Sequence, residues 1–268
     1  MVKVIVLGSK GMVGSMLTKV LAKEYTLVSV CREELDILKD DWRSYISNIA
    51  EQNDILINCI GLIPQKIPSK NENKDIFDAI NTTFSQDLAE YCKMNNIFLI
   101  HISTNCVFAK GNADESTVPD AYDVYGISKY KGEPINKALV IRCSVIGPEP
   151  YGPHCSLMDW VLTQEGEIKG FKNHLWNGVT TLELSYTILN ILKRPLEYKL
   201  IHLYSKNIMN KYDLVNEICK IWNKDISVLE HYTEYPYDKT LTSLEYKPIK
   251  TIEEQLLELY KFTHNIAS

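Results

Sequence analysis

Short apolar runs alternate with longer amphipathic stretches along the first half of the chain. Val2–Leu7, Thr26–Cys31, Asp54–Cys59, Ile97–Ile102 and Ala138–Cys143 are each brief and rich in Val, Ile and Leu. A run that is apolar at both alternating sets of positions reads as a strand covered on both faces, as in a parallel sheet. Between these runs the period lengthens. In residues 12–23, Met12, Val13, Met16, Leu17, Val20 and Leu21 fall on one helical face, and residues 76–93 repeat the pattern with Ile76, Ile80, Phe84, Leu88 and Tyr91. This strand–helix alternation predicts an α/β fold with a Rossmann-type doubly wound parallel sheet.

The pattern breaks at "GPEPYGPH", residues 147–154, where three prolines and two glycines in eight positions mark a turn or junction. Beyond it the periodicity is less regular, with a strand expected at Lys199–Leu203 and amphipathic helices near 212–222 and 251–261. The expected organisation is a dinucleotide-binding domain over 1–146. A smaller C-terminal substrate-binding lobe over 147–268 returns some elements to the sheet.

Composition narrows the partners. The 268 residues are 45% hydrophobic and 24% charged, ordinary for a soluble globular protein. The net charge of −5 comes without a basic stripe, which argues against nucleic acid or a membrane surface as partner. No apolar run approaches the roughly 18 residues that cross a bilayer, and the apolar start before Gly8 is too short for a signal-peptide core. The seven cysteines are scattered without a Cys-x-x-Cys pair, so neither a zinc site nor a disulfide framework is expected, and the reducing cytoplasm is the expected location.

Two constellations carry chemistry. In "VLGSKGMVG", Gly8, Gly11 and Gly14 follow a strand and open a helix. That context lets backbone approach a pyrophosphate, which the free N–H groups of the helix start, near Met12 and Val13, can receive. An NAD-preferring site puts an acid about 20 residues on, at the end of the second strand, to hold the ribose 2′-hydroxyl. Arg32 stands there instead, and Lys10 lies inside the loop. Two cations suit a 2′-phosphate, so NADP(H) is the expected cofactor, although Glu33 and Glu34 follow immediately. The second constellation is "STNCVF" with "YGISKYKGE". Ser103 and Thr104 close a strand, where open α/β sheets bind ligands. Tyr125 and Lys129, at i and i+4, share one helical face. An ammonium near the phenol is expected to lower its pKa, leaving Tyr125 able to protonate a carbonyl oxygen that Thr104 also holds.

With these residues in place the sequence resembles an extended short-chain dehydrogenase/reductase, specifically the dTDP-4-dehydrorhamnose reductase branch. The resemblance runs over nearly the whole chain, through "GSKGMVG", "ELDI", "DILINCIG", "AINTTFSQDLAEYC", "STNCVF", "YGISKYKGE" and "NGVTTLELS". It implies reduction of the 4-keto group of a nucleotide-linked 4-keto-6-deoxyhexose with NAD(P)H. It also implies catalytic roles for Thr104, Tyr125 and Lys129, with Lys129 holding the nicotinamide ribose. Asp36 and Ile37 would lie near the adenine, and Asn58, Cys59, Ile60 and Gly61 beside ribose and pyrophosphate. Arg142 to Ile146, with Ser144 and Val145 among them, would pass close to the nicotinamide carboxamide, and Ser103 would also belong to the cofactor site. Thr104, Asn105, Cys106, Tyr125, His154, Trp176 and Asn177 would face the sugar nucleotide. Asn81 matches a structural helix asparagine.

The chain departs from that pattern at Asn105 and Cys106, where the family reads Asp-Tyr. A cysteine two residues after the catalytic hydroxyl is similar to GDP-fucose synthases and to plant bifunctional UDP-rhamnose enzymes, in which it takes part in epimerisation. Cys106, with His154 as a candidate partner, therefore gives the alternative of a bifunctional epimerase/reductase. A third alternative is a non-catalytic regulator like the regulatory subunit of methionine adenosyltransferase. The family's dimer-bridging magnesium ligands have no match here, so no metal is expected; a homodimer is compatible with the resemblance. His202 and the tyrosines Tyr232, Tyr235 and Tyr237 read as structural or surface residues.

Overall fold

The protein is described by a computed structural model covering residues 2–67, 73–152 and 154–266. Six strands form the central sheet: Lys3–Leu7 (β1), Thr26–Val30 (β2), Ile55–Asn58 (β3), Phe98–Thr104 (β4), Leu139–Cys143 (β5) and Leu200–Leu203 (β6). Their order is β6-β5-β4-β3-β1-β2, and every pairing is parallel. β1 shows why these runs are continuously apolar. Val4 and Val6 join Met16, Leu17 and Val20 in one core, while Ile5 and Leu7 join Ile46, Leu88 and Cys92 in the core on the other face.

Helix Met12–Leu21 (α1) follows β1, and Trp42–Ile49 (α2) follows β2. The helical stretch expected at 76–93 is interrupted. Lys74–Phe77 leads into a wide π-type turn, Asp78–Thr83, before Phe84–Met94 (α3). The turn fits its polar content. Buried Asn81 accepts from Leu62 N at 2.8 Å and donates to Leu62 O at 3.1 Å and Ser128 Oγ at 3.0 Å, and Thr82 Oγ1 donates to Ser128 O at 2.8 Å. Such π-bulges re-aim side chains at the cost of regular pairing. Helix Val124–Lys131 (α4) begins at Asp123, whose carboxylate accepts from Gly126 N at 2.8 Å.

The C-terminal half adds helices Thr181–Leu192 (α5), Lys211–Ile221 (α6) and Ile252–Thr263 (α7). It also carries small strand pairs, with Gly166–Phe171 parallel to Ile226–His231 and His174–Trp176 flanked by Met209–Asn210 and Tyr237–Asp238. Its apolar residues Ile168, Trp176, Leu214 and Ile218 belong to the same core as Val4 and Val6. β6 lies at the edge of the main sheet. A buried polar chain ties the last three strands together. Arg142 on β5 makes two hydrogen bonds to Glu133, at 2.6 and 2.8 Å, and meets His202 Nε2 on β6 at 3.3 Å; Ser103 Oγ on β4 donates to Glu133 at 2.6 Å. Among the described residues, no helix is long and apolar enough to cross a membrane.

Candidate active site

Strand order reverses at β1, which has β2 on one side and β3 on the other. A crevice outside the carboxyl ends of strands at such a switch point is where open α/β sheets bind ligands. Two adjoining cavities occupy it, of about 330 and 600 Å³. Gly11, Cys59, Ile60, Gly61 and Lys66 line both.

The smaller cavity contains Gly8, Lys10, Gly11, Arg32, Asp36, Ile37, Cys59, Ile60 and Gly61. Its floor depends on close backbone contact. Gly8 has φ +76°, and a Cβ placed on Gly14 would lie 2.2 Å from Gly8 O, closer than any side chain could be tolerated. Gly11 caps α1 without a side-chain acceptor, leaving the first-turn N–H groups facing the cavity mouth. The loop after β3 is fixed by Asn58, whose Oδ1 accepts from Ile60 N at 3.0 Å and whose Nδ2 meets His101 Nδ1 at 3.3 Å. His101 is fully buried, and burial, followed by the nearby Lys129 charge, holds it neutral well below its usual pKa.

The charges at this end are paired with one another. Lys10 Nζ lies 3.3 Å from Glu33, and Arg32 lies 3.3 Å from Asp36, with Lys39 at 3.6 Å from the same carboxylate. The three acids differ in what they do. Glu34 accepts from Cys31 N at 2.8 Å, and Asp36 accepts from Leu38 N at 3.1 Å, so both shape the turn. Glu33 is 67% exposed and faces Lys10. Its pKa is held down to about 2 by hydrogen bonding first with Cys31 and then with its own backbone and Lys10.

The larger cavity gathers Met12, Val13, Ser103, Thr104, Asn105, Cys106, Tyr125, Lys129, Ser144 and Val145. Close packing brings them together. A Cβ on Gly126 would lie 2.4 Å from Cys106 O, so only glycine lets α4 sit this tightly against the turn after β4. Thr104 Oγ1 accepts from Cys106 N at 3.1 Å, and its hydroxyl lowers the pKa of the Tyr125 phenol. Lys129 is buried, donates to Ile102 O at 3.0 Å and faces the Gly61 loop, where a Cβ on Gly61 would lie 3.7 Å from its ammonium. Burial lowers its pKa to about 8, opposed mainly by Glu133.

The expectation that an adjacent ammonium lowers the Tyr125 pKa is corrected here. Burial dominates and raises it, Cys106 adds to the rise, and the Thr104 hydrogen bond is what opposes them. The phenol is therefore a protonated donor at neutral pH. The Cys106 thiol is likewise raised, first by burial, against the Thr104 hydrogen bond and the Lys239 charge.

Three expected substrate contacts lie outside both cavities. His154 is 57% exposed and sits 3.7 Å from Asp159. Trp176 is buried, with its indole N–H donating to Ser144 Oγ at 2.7 Å. Asn177 clamps Leu241, donating to its carbonyl at 2.8 Å and accepting from its N–H at 2.9 Å. Conversely, Lys66, Tyr122, Asp123 and Glu149 line the larger cavity without having been singled out by sequence, and Tyr237, expected only as a structural or surface residue, lines it too. Asp123 carried a legible signal as a helix cap. Tyr237 had none, because it arrives from more than a hundred residues away.

A six-stranded parallel sheet with a glycine-loop cleft and a Thr/Tyr/Lys set defines the extended short-chain dehydrogenase/reductase type. Within that class the chain belongs to the RmlD substrate binding domain family, whose profile matches residues 2–249. It is 24% identical over 225 residues to a dTDP-4-dehydrorhamnose reductase of Mycolicibacterium smegmatis, a match covering 79% of this chain and 66% of that relative's length. The fold superimposes on dTDP-4-dehydrorhamnose reductase from Bacillus anthracis in complex with NADP, with TM-score 0.84, 21% identity and coverage of 96% of this chain and 98% of that one. It also superimposes on UDP-glucuronic acid 4-epimerase from Bacillus cereus in complex with UDP-glucuronic acid and NAD, with TM-score 0.72, 19% identity and coverage of 99% and 100%. One fold thus serves more than one sugar-nucleotide reaction.

Proposed function

We propose that this chain is an NADPH-dependent reductase of a sugar nucleotide, acting on the 4-keto group of a nucleotide-linked 4-keto-6-deoxyhexose. The carrying observation is the convergence of Thr104, Tyr125 and Lys129 on one wall of the larger cavity, which continues into the glycine-loop cavity. The relatives' dTDP-4-dehydrorhamnose reductase activity supports the substrate class. The cleft fits a dinucleotide: glycine backbone would cradle its pyrophosphate at the start of α1, and Lys129 would hold the nicotinamide ribose. Lys10 and Arg32 would exchange Glu33 and Asp36 for a 2′-phosphate, in keeping with the NADP bound by the Bacillus anthracis structure.

When bound, NADPH would supply the hydride that the ketone carbon needs. The chain's own residues handle the oxygen. Thr104 positions it by hydrogen bond, and the protonated Tyr125 phenol gives it the proton, a general-acid role. Lys129 supplies positive charge beside the phenolate left behind, and its pKa of about 8 keeps it charged at neutral pH. Cys106 enters as a neutral pocket wall, since burial holds its thiol protonated. Domain roles follow the same reading, with residues 1–146 holding the cofactor and residues 147–268 contributing most of the sugar-nucleotide surface.

The reading is tested by NADPH oxidation with a panel of dTDP-, UDP- and GDP-linked 4-keto-6-deoxy sugars. Turnover with at least one member is expected. Tight NADPH binding without turnover of any member would instead support a non-catalytic regulator. Carbon-bound deuterium at C3 or C5 after reaction in D₂O, lost in Cys106→Ser, would support the bifunctional enzyme.

A further inference from the structure

Lys66 is the one charged residue among the five that line both cavities. It ends the short turn Pro64–Lys66 in the segment after β3. Its ammonium lies 3.7 Å from Glu149 Oε1, which belongs to the proline-rich segment on the opposite side of the junction. That distance makes an ion pair without a hydrogen bond. The two partners are unequally committed. The Glu149 side chain is 4% exposed, and its other oxygen accepts from Cys155 N at 2.7 Å and Ser156 N at 3.2 Å. The Lys66 side chain is 34% exposed. Glu149 is therefore anchored by backbone donors whether or not Lys66 is present, and Lys66 is the partner free to leave.

We propose that Lys66 is a diphosphate-binding residue held in reserve by Glu149. The carboxylate holds the ammonium at the junction of the cavities. A diphosphate crossing that junction takes it over, and Glu149 keeps its two backbone hydrogen bonds. The assignment rests on the reductase reading, which threads two diphosphates through this region: the cofactor's pyrophosphate and that of the sugar nucleotide. Their chemistry is the same, so the experiment separates them.

Calorimetric titrations with NADPH, dTDP and adenosine 2′-monophosphate, which lacks a diphosphate, are made on the wild type, Lys66→Met, Lys66→Arg and Glu149→Gln. Thermal melts confirm that each variant is folded. Lys66→Met should weaken NADPH or dTDP by about tenfold or more, as expected for one lost charge-assisted hydrogen bond, and leave adenosine 2′-monophosphate unchanged. The ligand that weakens identifies the source. Lys66→Arg should restore binding, and Glu149→Gln should bind the same ligand at least as tightly as the wild type. Unchanged affinity of Lys66→Met for both diphosphates overturns the assignment. So does a loss shared equally by adenosine 2′-monophosphate, or a Glu149→Gln loss as large as that of Lys66→Met. Wild-type protein that binds neither NADPH nor dTDP overturns the reductase reading and this assignment with it.

Discussion

The two ends of the cleft hold their charges in opposite ways. At the wide end Lys129 is buried and Tyr125 half-buried, and desolvation shifts both: the phenol upward and the ammonium down to about 8. At the narrow end Lys10 and Arg32 lie at the surface, 47% and 75% exposed, each matched by a carboxylate. Exposed pairs contribute little and exchange partners readily, whereas buried groups are set by the fold around them. In the proposed reading the wide end fixes the chemistry, and the narrow end leaves cofactor preference to a few surface charges that a substitution can retune.

If the wide end is prebuilt for proton donation, removing the donor should produce the largest loss. Tyr125→Phe keeps the ring and its packing against Phe77, so kcat should fall by about 10²–10⁴-fold with the NADPH affinity unchanged. Steady-state rates and a binding titration on the same preparation check both halves. The framework behind the wide end is next. Glu133→Ala leaves Arg142 buried without its carboxylate, and breaking such a pair costs about 3–5 kcal/mol. Urea denaturation should show that loss.

The pH profile sharpens the contrast further. In the proposed mechanism Lys129 acts as a cation, so its contribution is complete below its pKa of about 8 and disappears as pH rises through it. In the reductive direction kcat/KM should be flat from neutral pH to about 8 and fall above it. The Tyr125 pKa is raised beyond that range, so the phenol does not limit the profile. In Lys129→Met the rate should be lower throughout, and the alkaline fall should disappear. The smallest effect belongs to the narrow end. Glu33→Gln frees Lys10 from a pair that is exposed on both sides, and the NADPH-to-NADH preference should rise only a few-fold, the scale of a surface ion pair. A rise of several hundred-fold would show that this end is as rigidly specified as the other.

Much of this contrast follows from how far apart the interacting residues lie in the chain. The strands, the glycine loop and the Tyr125/Lys129 spacing are local patterns, so periodicity and motif placement reveal them. The partners that decide behaviour are distant. Asn105 Nδ2 donates to Lys239 O across 134 residues, and Lys66 meets Glu149 across the cleft. The Asn81 contacts with Leu62 and Ser128 turn a regular helical pattern into a π-type turn that no apolar spacing announces. Lys10 and Arg32 are legible as cations, but their pairing with Glu33 and Asp36 depends on the turn after β2. Trp176, expected to face the sugar nucleotide, is instead buried, with its N–H satisfied by Ser144. Strand Gly166–Phe171 escaped notice because glycine and charge occupy four of its six positions.

In the proposed reaction, hydride reaches the ketone carbon while Tyr125 protonates its oxygen. The most direct measurement is the reaction of NADPH deuterated at the transferring position with the ketosugar nucleotide that turns over, followed by NMR of the product. A single deuterium at the sugar C4 is expected, formed by the wild type and at a strongly reduced rate by Tyr125→Phe. Product without deuterium at C4, or label transferred by Tyr125→Phe at the wild-type rate, would contradict it.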